Sequence, residues 1–293
     1  MSIVSSQLET WANPGAVVSA QATHTLIRNA LSSYKWPVAV TYHDYLQGSY
    51  RNHTNIRGDS DVDLVVELTS VFWSNLTAQE KQQMGLTAAQ YSWGDFRSEV
   101  IGALTDYYGA SSVDRSGSKS IKVLASSGRL PADVVVAGQY RYYENLRVRA
   151  YGIVFWTNPD RSMIVNYPKV HFDNGAAKNS NDRSSGWFKP TVRAFKNARN
   201  RIEANDTSLA GKFPSYLIEC LLYNVPDSRY GGGHQRNFVD VLNWLNEALY
   251  DEQAASFTTQ SGMEYLFGDS VTQWNLADAR LLTSELIRLW NEW

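Results

Sequence analysis

The sequence predicts an α+β protein, a mixed sheet with helices followed by a helical lobe. Two observations carry this prediction. Apolar runs with strand character end near residue 170, and beyond the polar stretch 173–186 the hydrophobic spacing is helical throughout. We therefore predict two domains, residues 1–170 and residues 171–293.

The individual elements follow from hydrophobic periodicity. Apolar side chains recur at helical spacing from Val17 to Tyr34 and from Trp93 to Tyr108, which predicts two helices in the first domain. Short apolar runs bounded by turn residues predict strands at 61–68, 119–124, 131–138, 151–157 and 162–168. In the second domain, helices are predicted at 189–205, 214–224, 235–250 and 271–291.

Composition excludes several classes of protein. Lys and Arg total 27 against 29 Asp and Glu, which argues against a protein held to duplex nucleic acid by bulk charge. The single cysteine, Cys220, excludes an internal disulfide and a multi-cysteine zinc module, and it fits a reducing compartment. The N-terminal stretch lacks a signal-peptide core and no apolar run approaches about 20 residues, so we expect a soluble cytoplasmic protein without a membrane span.

Two aspartates open the strand predicted at 61–68. Asp61 and Asp63 share one face because side chains alternate along a strand, and they start about 6.6 Å apart. Two like charges at the end of an apolar strand are costly unless a cation is present. This face is therefore predicted to present ligands for a hard divalent metal.

A calcium-binding loop that starts at Asp59 is the obvious alternative. It fails because Leu64 and Ser70 stand where that loop requires Gly and Glu. Asp59 is predicted to be a turn residue instead.

A third carboxylate begins another apolar strand. Asp133 alone would be read as a strand-capping residue. Beside Asp61 and Asp63, it completes the ligand set of a two-metal phosphoryl-transfer site, and Mg²⁺, with Mn²⁺ able to substitute, is the predicted metal. Upstream, Gly48 lets the backbone approach a phosphate closely, and Ser49 offers a hydroxyl and an N–H to a triphosphate.

These motifs carry a family resemblance. Gly48-Ser49, then Asp61-Val62-Asp63-Leu64, then Asp133 on a later strand resemble the nucleotidyltransferase superfamily of DNA polymerase β. With a helical second lobe, the order of elements resembles the CD-NTases, bacterial relatives of cyclic GMP–AMP synthase and 2′-5′ oligoadenylate synthase. Five segments look closest to clade E of that family, and the resemblance covers nearly the whole chain: LQGSYRNHTNIRGDSDVDLVVEL, LPADVVVAGQYR, VNYPKVH, NGAAKN and ECLLYNVPDS.

The resemblance implies a polymerase-β-like core in residues 1–170, a nucleotide-binding helical lobe in residues 171–293, and an active site between the lobes. It implies an Mg²⁺-dependent enzyme that releases pyrophosphate and makes a cyclic dinucleotide for anti-phage signalling of the CBASS type. A downstream effector would bind the product rather than this protein. Clade E includes members that use pyrimidines, so UTP and ATP are the expected substrates and cyclic UMP–AMP or di-UMP the expected product.

The resemblance also implies roles for particular residues. Asp61, Asp63 and Asp133 would bind metal and serve catalysis, with Asp133 helping to activate the attacking hydroxyl. The residues implied to bind nucleotide are Gln47, Gly48, Ser49, Asn166, Lys196, Ser215 and Tyr216.

Four of these nucleotide-binding assignments have an alternative explanation. Lys196 lies on the polar stripe of helix 189–205 and would hold the triphosphate, although such a stripe by itself is typical of a solvated face. Ser215 at a helix start would meet a phosphate and Tyr216 would stack on a base, or the two would cap the helix and fill the lobe interface. Asn166 is predicted to be a buried amide that reads the edge of uracil, or that bonds backbone.

Two rival functions stay open at this point. One is a different transferase on the same core, such as a cyclic dipurine or linear oligonucleotide synthase, or an enzyme that modifies RNA or an antibiotic. The other is a non-enzyme, either a nucleic-acid sensor or an inactive binding module. The complete aspartate triad argues against an inactive site, and the net charge of about −2 argues against duplex nucleic acid as a partner.

Overall fold

The computed structural model describes residues 2–15, 18–58 and 61–293, which form two compact units. The sheet unit contains residues 18–51 and 61–170, and the helical unit contains residues 2–15, 52–58 and 171–293. Val17 and the predicted turn residue Asp59 lie outside the described residues.

A seven-stranded mixed sheet forms the centre of the sheet unit. Its strands are β1 (Tyr42–Leu46), β2 (Val62–Ser74), β3 (Val113–Asp114), β4 (Ile121–Val123), β5 (Ala132–Glu144), β6 (Arg147–Trp156) and β7 (Met163–Asn166). Strands β2 and β5 run parallel, and every other pairing is antiparallel. Strand β5 pairs with β4 through its first residues and with β6 through its last, so it is the central strand.

Hydrophobic alternation explains how the sheet is covered. Val62, Leu64 and Val66 point to one face of β2 and are fully buried against two amphipathic helices, residues 18–33 and 93–108. The four helices of this unit are α2 (Val18–Ser33), α3 (Gly48–Asn52), α4 (Ala78–Gln83) and α5 (Trp93–Tyr108). The predicted helix 93–108 is confirmed, and it begins at a capping box made by Ser92 and Asp95.

The helical unit is built around a second hydrophobic core. Its helices are α1 (Ser5–Ala12), α6 (Pro168–Lys178), α7 (Phe188–Asn205), α8 (Ser215–Asn224), α9 (His234–Tyr250) and α10 (Leu276–Glu292). Phe195 and Phe238 lie in this core with their ring centroids 4.6 Å apart, joining α7 to α9. None of the helices in the described ranges is both long and apolar enough to cross a bilayer.

Three features differ from the sequence expectation. The predicted polar loop at 173–186 is helical through Lys178, where the Lys178 ammonium donates to Val225 O at 2.6 Å. The last helix begins at Leu276, five residues later than its predicted start at 271, because Asn275 caps it through the Ala277 N–H. Residues 2–15 group with the helical unit, not with the sheet, because Ile3 and Leu8 are fully buried in its core.

Candidate active site

The three predicted aspartates lie on two neighbouring strands. The Cα atoms of Asp63 and Asp133 are register partners in the parallel pair of β2 and β5, so their side chains point to the same face of the sheet. Asp61 directly precedes β2 and is two residues from Asp63. All three are only partly buried, whereas the alternating neighbours Val62 and Ala132 are fully buried. The three aspartates therefore lie at the same end of the β2–β5 strand pair.

Gly48 lies directly against this acidic group. Its φ is +62°, and a Cβ at this position would lie 2.1 Å from Asp63 Oδ2. The neighbouring Gln47 N–H donates to Asp63 O at 2.9 Å. Ser49 follows in the first turn of α3, where it is half-buried. Gln47 and Gly48 thus lie against Asp63, and Ser49 directly follows them in the chain. Phosphate binding by this segment stays a prediction.

A lysine that sequence reasoning missed completes the electrostatics of this site. Lys122 on β4 donates through its Nζ to Asp61 Oδ2 at 2.7 Å, and its Cα is the register partner of Asp133. The hydrogen bond to Asp61 raises the pKa of Lys122, so its ammonium stays charged. Ser120 donates to Asp133 Oδ1 at 3.2 Å. In the sequence, the indication for Lys122 was a basic residue between two apolar ones in the segment 119–124, which we predicted simply as a strand.

The chemistry of this donor set fits a hard divalent cation, because ionised carboxylates are the ligands that Mg²⁺ takes from proteins. The side chains of the three aspartates do not, however, converge on a single point. Across the described residues, no three His, Cys, Asp or Glu side chains surround one point closely enough to hold an ion. The Lys122 ammonium instead compensates Asp61. The residues thus fit the metal in kind and position on the sheet, and the assignment of Mg²⁺ stays a prediction.

Asn166 ends β7, and its position differs from the one expected. Its Cα is the register partner of Ile153, but its side chain is exposed, so the predicted buried amide is wrong. Its amide has no hydrogen bond to any other part of the chain that the structure describes. A Cβ on Gly152 would lie 2.6 Å from Asn166 O, so the glycine permits this close backbone approach. The exposed amide retains both a donor and an acceptor for a ligand.

In the helical unit, Lys196 is not on a solvated face. The side chain is fully buried, and its Nζ donates to Glu219 Oε1 at 2.6 Å, Thr54 O at 3.2 Å and Thr54 Oγ1 at 3.3 Å. These three acceptors use all three ammonium hydrogens. The arrangement therefore leaves no donor of Lys196 for a triphosphate, and the predicted phosphate contact finds no support here.

Glu219 is the buried anion that organises this part of the helical unit. Besides Lys196, it accepts hydrogen bonds from Thr54 Oγ1 at 2.6 Å and Asn52 Nδ2 at 3.3 Å, and it lies 3.1 Å from His171 Nε2. Desolvation acts to raise the pKa of Glu219, but the charge of Lys196 and the contact with His171 outweigh it. The net pKa is well below its usual range, so Glu219 is ionised.

Ser215 and Tyr216 occupy the first turn of α8, with Pro214 as the N-cap rather than the predicted first helical residue. Arg199 Nη2 donates to Ser215 Oγ at 3.3 Å, so this hydroxyl already has a partner. Tyr216 is 40% exposed, and its ring stacks on that of His171. Desolvation raises the pKa of the Tyr216 phenol, which keeps the ring neutral. Of the two residues, Tyr216 therefore retains the more accessible surface.

A mixed sheet with paired aspartates on its central strands, beside a Gly-Ser segment, defines a nucleotidyltransferase. Comparison with known proteins agrees. The model of the cGAS/DncV-like nucleotidyltransferase C-terminal helical domain matches residues 173–291. The chain is 47% identical to a cyclic UMP-AMP synthase of Rhodothermus marinus, covering 100% of this chain and 99% of that protein. It is 35% identical to cyclic nucleotide synthase CdnE01 of Staphylococcus haemolyticus, with complete coverage of both.

A solved structure extends this similarity to three dimensions. The Rhodothermus marinus CdnE c-UMP-AMP synthase, solved with Apcpp and Upnpp, superposes with a TM-score of 0.91 at 47% identity over 99% of this chain and 97% of the other. The chain belongs to the CdnE group of the cGAS/DncV-like nucleotidyltransferases. The predicted α+β fold, the predicted family and the predicted nucleotidyltransferase activity are thereby confirmed. The roles of individual residues and the location of the active site between the lobes stay predictions.

Proposed function

We propose that this nucleotidyltransferase uses Mg²⁺ to join UTP and ATP into cyclic UMP–AMP. The observation that carries the metal-dependent chemistry is the register of Asp63 and Asp133 on parallel strands, with Asp61 two residues upstream and Gly48 packed against Asp63. The choice of bases is supported by the relative at 47% identity, which is named for this product.

The three aspartates of the sheet unit would carry out the metal binding and the proton transfer. Asp61, Asp63 and Asp133 would hold Mg²⁺, with Mn²⁺ as a substitute. When bound, the metal neutralises charge on the triphosphate and lowers the pKa of the attacking 3′-hydroxyl. Asp133 accepts a hydrogen bond from Ser120 at Oδ1, and its Oδ2 would take the hydroxyl proton. The 3′-oxygen then bonds to the α-phosphorus of the second nucleotide, and the bond to pyrophosphate breaks.

Binding of the nucleotide falls to neighbouring groups. Gly48 brings backbone close to the carboxylates, where Gln47 and Ser49 can contact phosphate oxygens. Asn166 carries an exposed amide that can pair with the N3–H and a carbonyl of uracil, whereas adenine offers a different pattern. The ring closes when the same reaction is repeated with the roles of the two nucleotides exchanged.

The biological setting belongs to the same proposal. The product would act as a second messenger in CBASS anti-phage defence, read by a downstream effector that binds the nucleotide rather than this enzyme. A cytoplasmic location is supported by the NTP substrates and by a single, buried, free cysteine, Cys220. Neither a membrane nor duplex nucleic acid is needed for this activity.

The test is product analysis. The purified protein is incubated with all four NTPs and Mg²⁺, treated with phosphatase, and the products are identified by mass spectrometry. We expect a phosphatase-resistant cyclic UMP–AMP that disappears with excess EDTA and with Asp63→Asn. A linear product would replace the proposal by an oligonucleotide synthase. A cyclic product without uridine would contradict the choice of bases.

A further inference from the structure

The rings of His171 and Tyr216 form a stacked pair in the helical unit. Their centroids are 5.2 Å apart and their planes differ by 23°. His171, on α6, is only 5% exposed, whereas Tyr216, in the first turn of α8, is 40% exposed. The histidine therefore supports the tyrosine from the protein side. A further planar group can stack only on the part of the tyrosine that His171 leaves uncovered.

The histidine is itself fixed on two sides. Its Nε2 lies 3.1 Å from Glu219 Oε2, and its backbone oxygen accepts from Gln260 Nε2 at 2.8 Å. Its Nδ1 is buried and has no hydrogen-bond partner among residues 2–15, 18–58 and 61–293. A proton on Nε2 that points at the carboxylate satisfies this geometry and sets the plane of the ring.

Glu219 is in turn locked by Lys196 and Thr54, each at 2.6 Å from Oε1. The contacts thus form a continuous series from Lys196 through Glu219 and His171 to Tyr216, in which only the last member reaches solvent. A buried ion pair of this kind is weak as a source of stability compared with apolar packing, but it fixes the orientation of what it touches. Here the group at its end is an aromatic ring with an open surface.

We propose that His171 is a positioning residue, held by Glu219, that fixes the plane of Tyr216 so that a nucleobase of the bound substrate stacks on the tyrosine. This inference rests on the proposed function, since it needs a nucleotide substrate. It goes further by assigning a role to a residue that makes no contact with substrate and by giving the buried Lys196–Glu219 pair a purpose other than binding phosphate.

Two substitutions of His171 separate its two contacts. His171→Gln keeps a donor for Glu219 but removes the ring, whereas His171→Phe keeps a ring but loses the donor. Each variant is compared with Tyr216→Ala for the affinity of non-hydrolysable UTP and ATP analogues by calorimetry, and for kcat and KM. Melting temperatures are measured in parallel to show that the variants are folded.

We expect His171→Gln to weaken binding of one analogue about tenfold, the order expected from losing a nucleobase stack, with KM rising far more than kcat falls. His171→Phe keeps a ring but loses the hydrogen bond to Glu219, so it should lose an intermediate amount of affinity, about threefold. Adding Tyr216→Ala to His171→Gln should cost no further affinity, because both changes remove the same support.

Three results would overturn the inference. These are wild-type affinity in either single variant of His171, a loss in His171→Phe as large as in His171→Gln, and additive losses in the double variant. Wild-type affinity in Tyr216→Ala would show that no nucleobase stacks on Tyr216. None of these outcomes affects the proposed function, which fails separately if the wild-type protein forms no cyclic nucleotide.

Discussion

Asp63 and Asp133 lie opposite each other on the only parallel strand pair of the described sheet. Because paired residues point to the same face, two carboxylates from sequence positions far apart become neighbours. Asp61, two residues upstream of Asp63, lies at the same end of the strand. A hydrogen-bonded lysine, Lys122, balances part of this charge. These three carboxylates are the residues predicted to hold a divalent cation.

Neutralising either paired aspartate should stop catalysis without unfolding the protein. Asp63→Asn and Asp133→Asn each remove a metal ligand, so we expect turnover to fall about 10³-fold or more, as several kcal/mol of metal stabilisation is lost. In metal-free buffer the melting temperature should change little, because like-charge repulsion is relieved. The matched control is Asp106→Asn, an exposed aspartate on α5. Turnover close to wild type in Asp133→Asn would exclude it from the reaction.

Gly48→Ala tests the close approach to Asp63. The substitution places a Cβ 2.1 Å from Asp63 Oδ2 on a residue with φ +62°, whereas Gly58→Ala, at φ +93°, has nothing within 4 Å. Both variants should lose about 1 kcal/mol of unfolding free energy from the positive φ. Only Gly48→Ala should lose more than this and also lose most activity. Equal urea midpoints and equal activities in the two variants would mean that the glycine is needed for its backbone angle alone.

Lys196→Met should destabilise the fold rather than weaken substrate binding selectively. The change strands the Glu219 charge in a buried site, which costs about 3–5 kcal/mol. Adding Glu219→Gln should recover part of that loss, since the unpaired charge is gone. Urea unfolding of the single and double variants measures both the loss of unfolding free energy and its partial recovery. A stable Lys196→Met variant whose only defect is a raised KM for NTPs would instead indicate that Lys196 binds the triphosphate.

The same buried carboxylate predicts an acid dependence of stability. The folded-state pKa of Glu219 is held below its ordinary value of 4.5 by Lys196 and His171 despite desolvation. Its ionised form therefore stabilises the fold fully above about pH 4.5, and this contribution is lost as the pH falls further. Unfolding free energies of wild type and Glu219→Gln, measured from about pH 6 to pH 3, should converge toward the acid end. A difference that stays constant with pH would show that Glu219 does not titrate in this range.

Asn166→Ala tests base choice. Loss of the exposed amide should reduce UTP incorporation relative to ATP by about tenfold, the effect of one lost contact of ~1.4 kcal/mol. Met163→Ala, an exposed residue on the same strand, is the matched control and should leave the ratio unchanged. Competition between labelled UTP and ATP gives the ratio directly. An unaltered ratio in Asn166→Ala would assign uracil recognition to other groups.

Local sequence patterns were enough to predict which residues form the candidate site. Alternation along a strand is a local property, so the shared face of Asp61 and Asp63 could be read directly, as could the strand that begins with Asp133. Helix 93–108 was predictable for the same reason, since its apolar spacing and its capping residues lie within the segment. Together with the order of elements and the segments quoted above, the motifs at Gly48-Ser49, Asp61-Val62-Asp63-Leu64 and Asp133 then indicated the family.

Which charges are paired and which side chains are buried could be learned from the three-dimensional fold alone. Lys196 carries the spacing of a surface lysine, but Thr54, 142 residues away, and Glu219, 23 residues away, enclose its ammonium. Lys122 meets Asp61 across 61 residues, a pairing that no local pattern encodes. Asn166 is exposed where the apolar pattern predicted burial, because the strand ends there. Burial and ion pairing depend on which distant segments pack together, and hydrophobic periodicity within one segment carries no information about that.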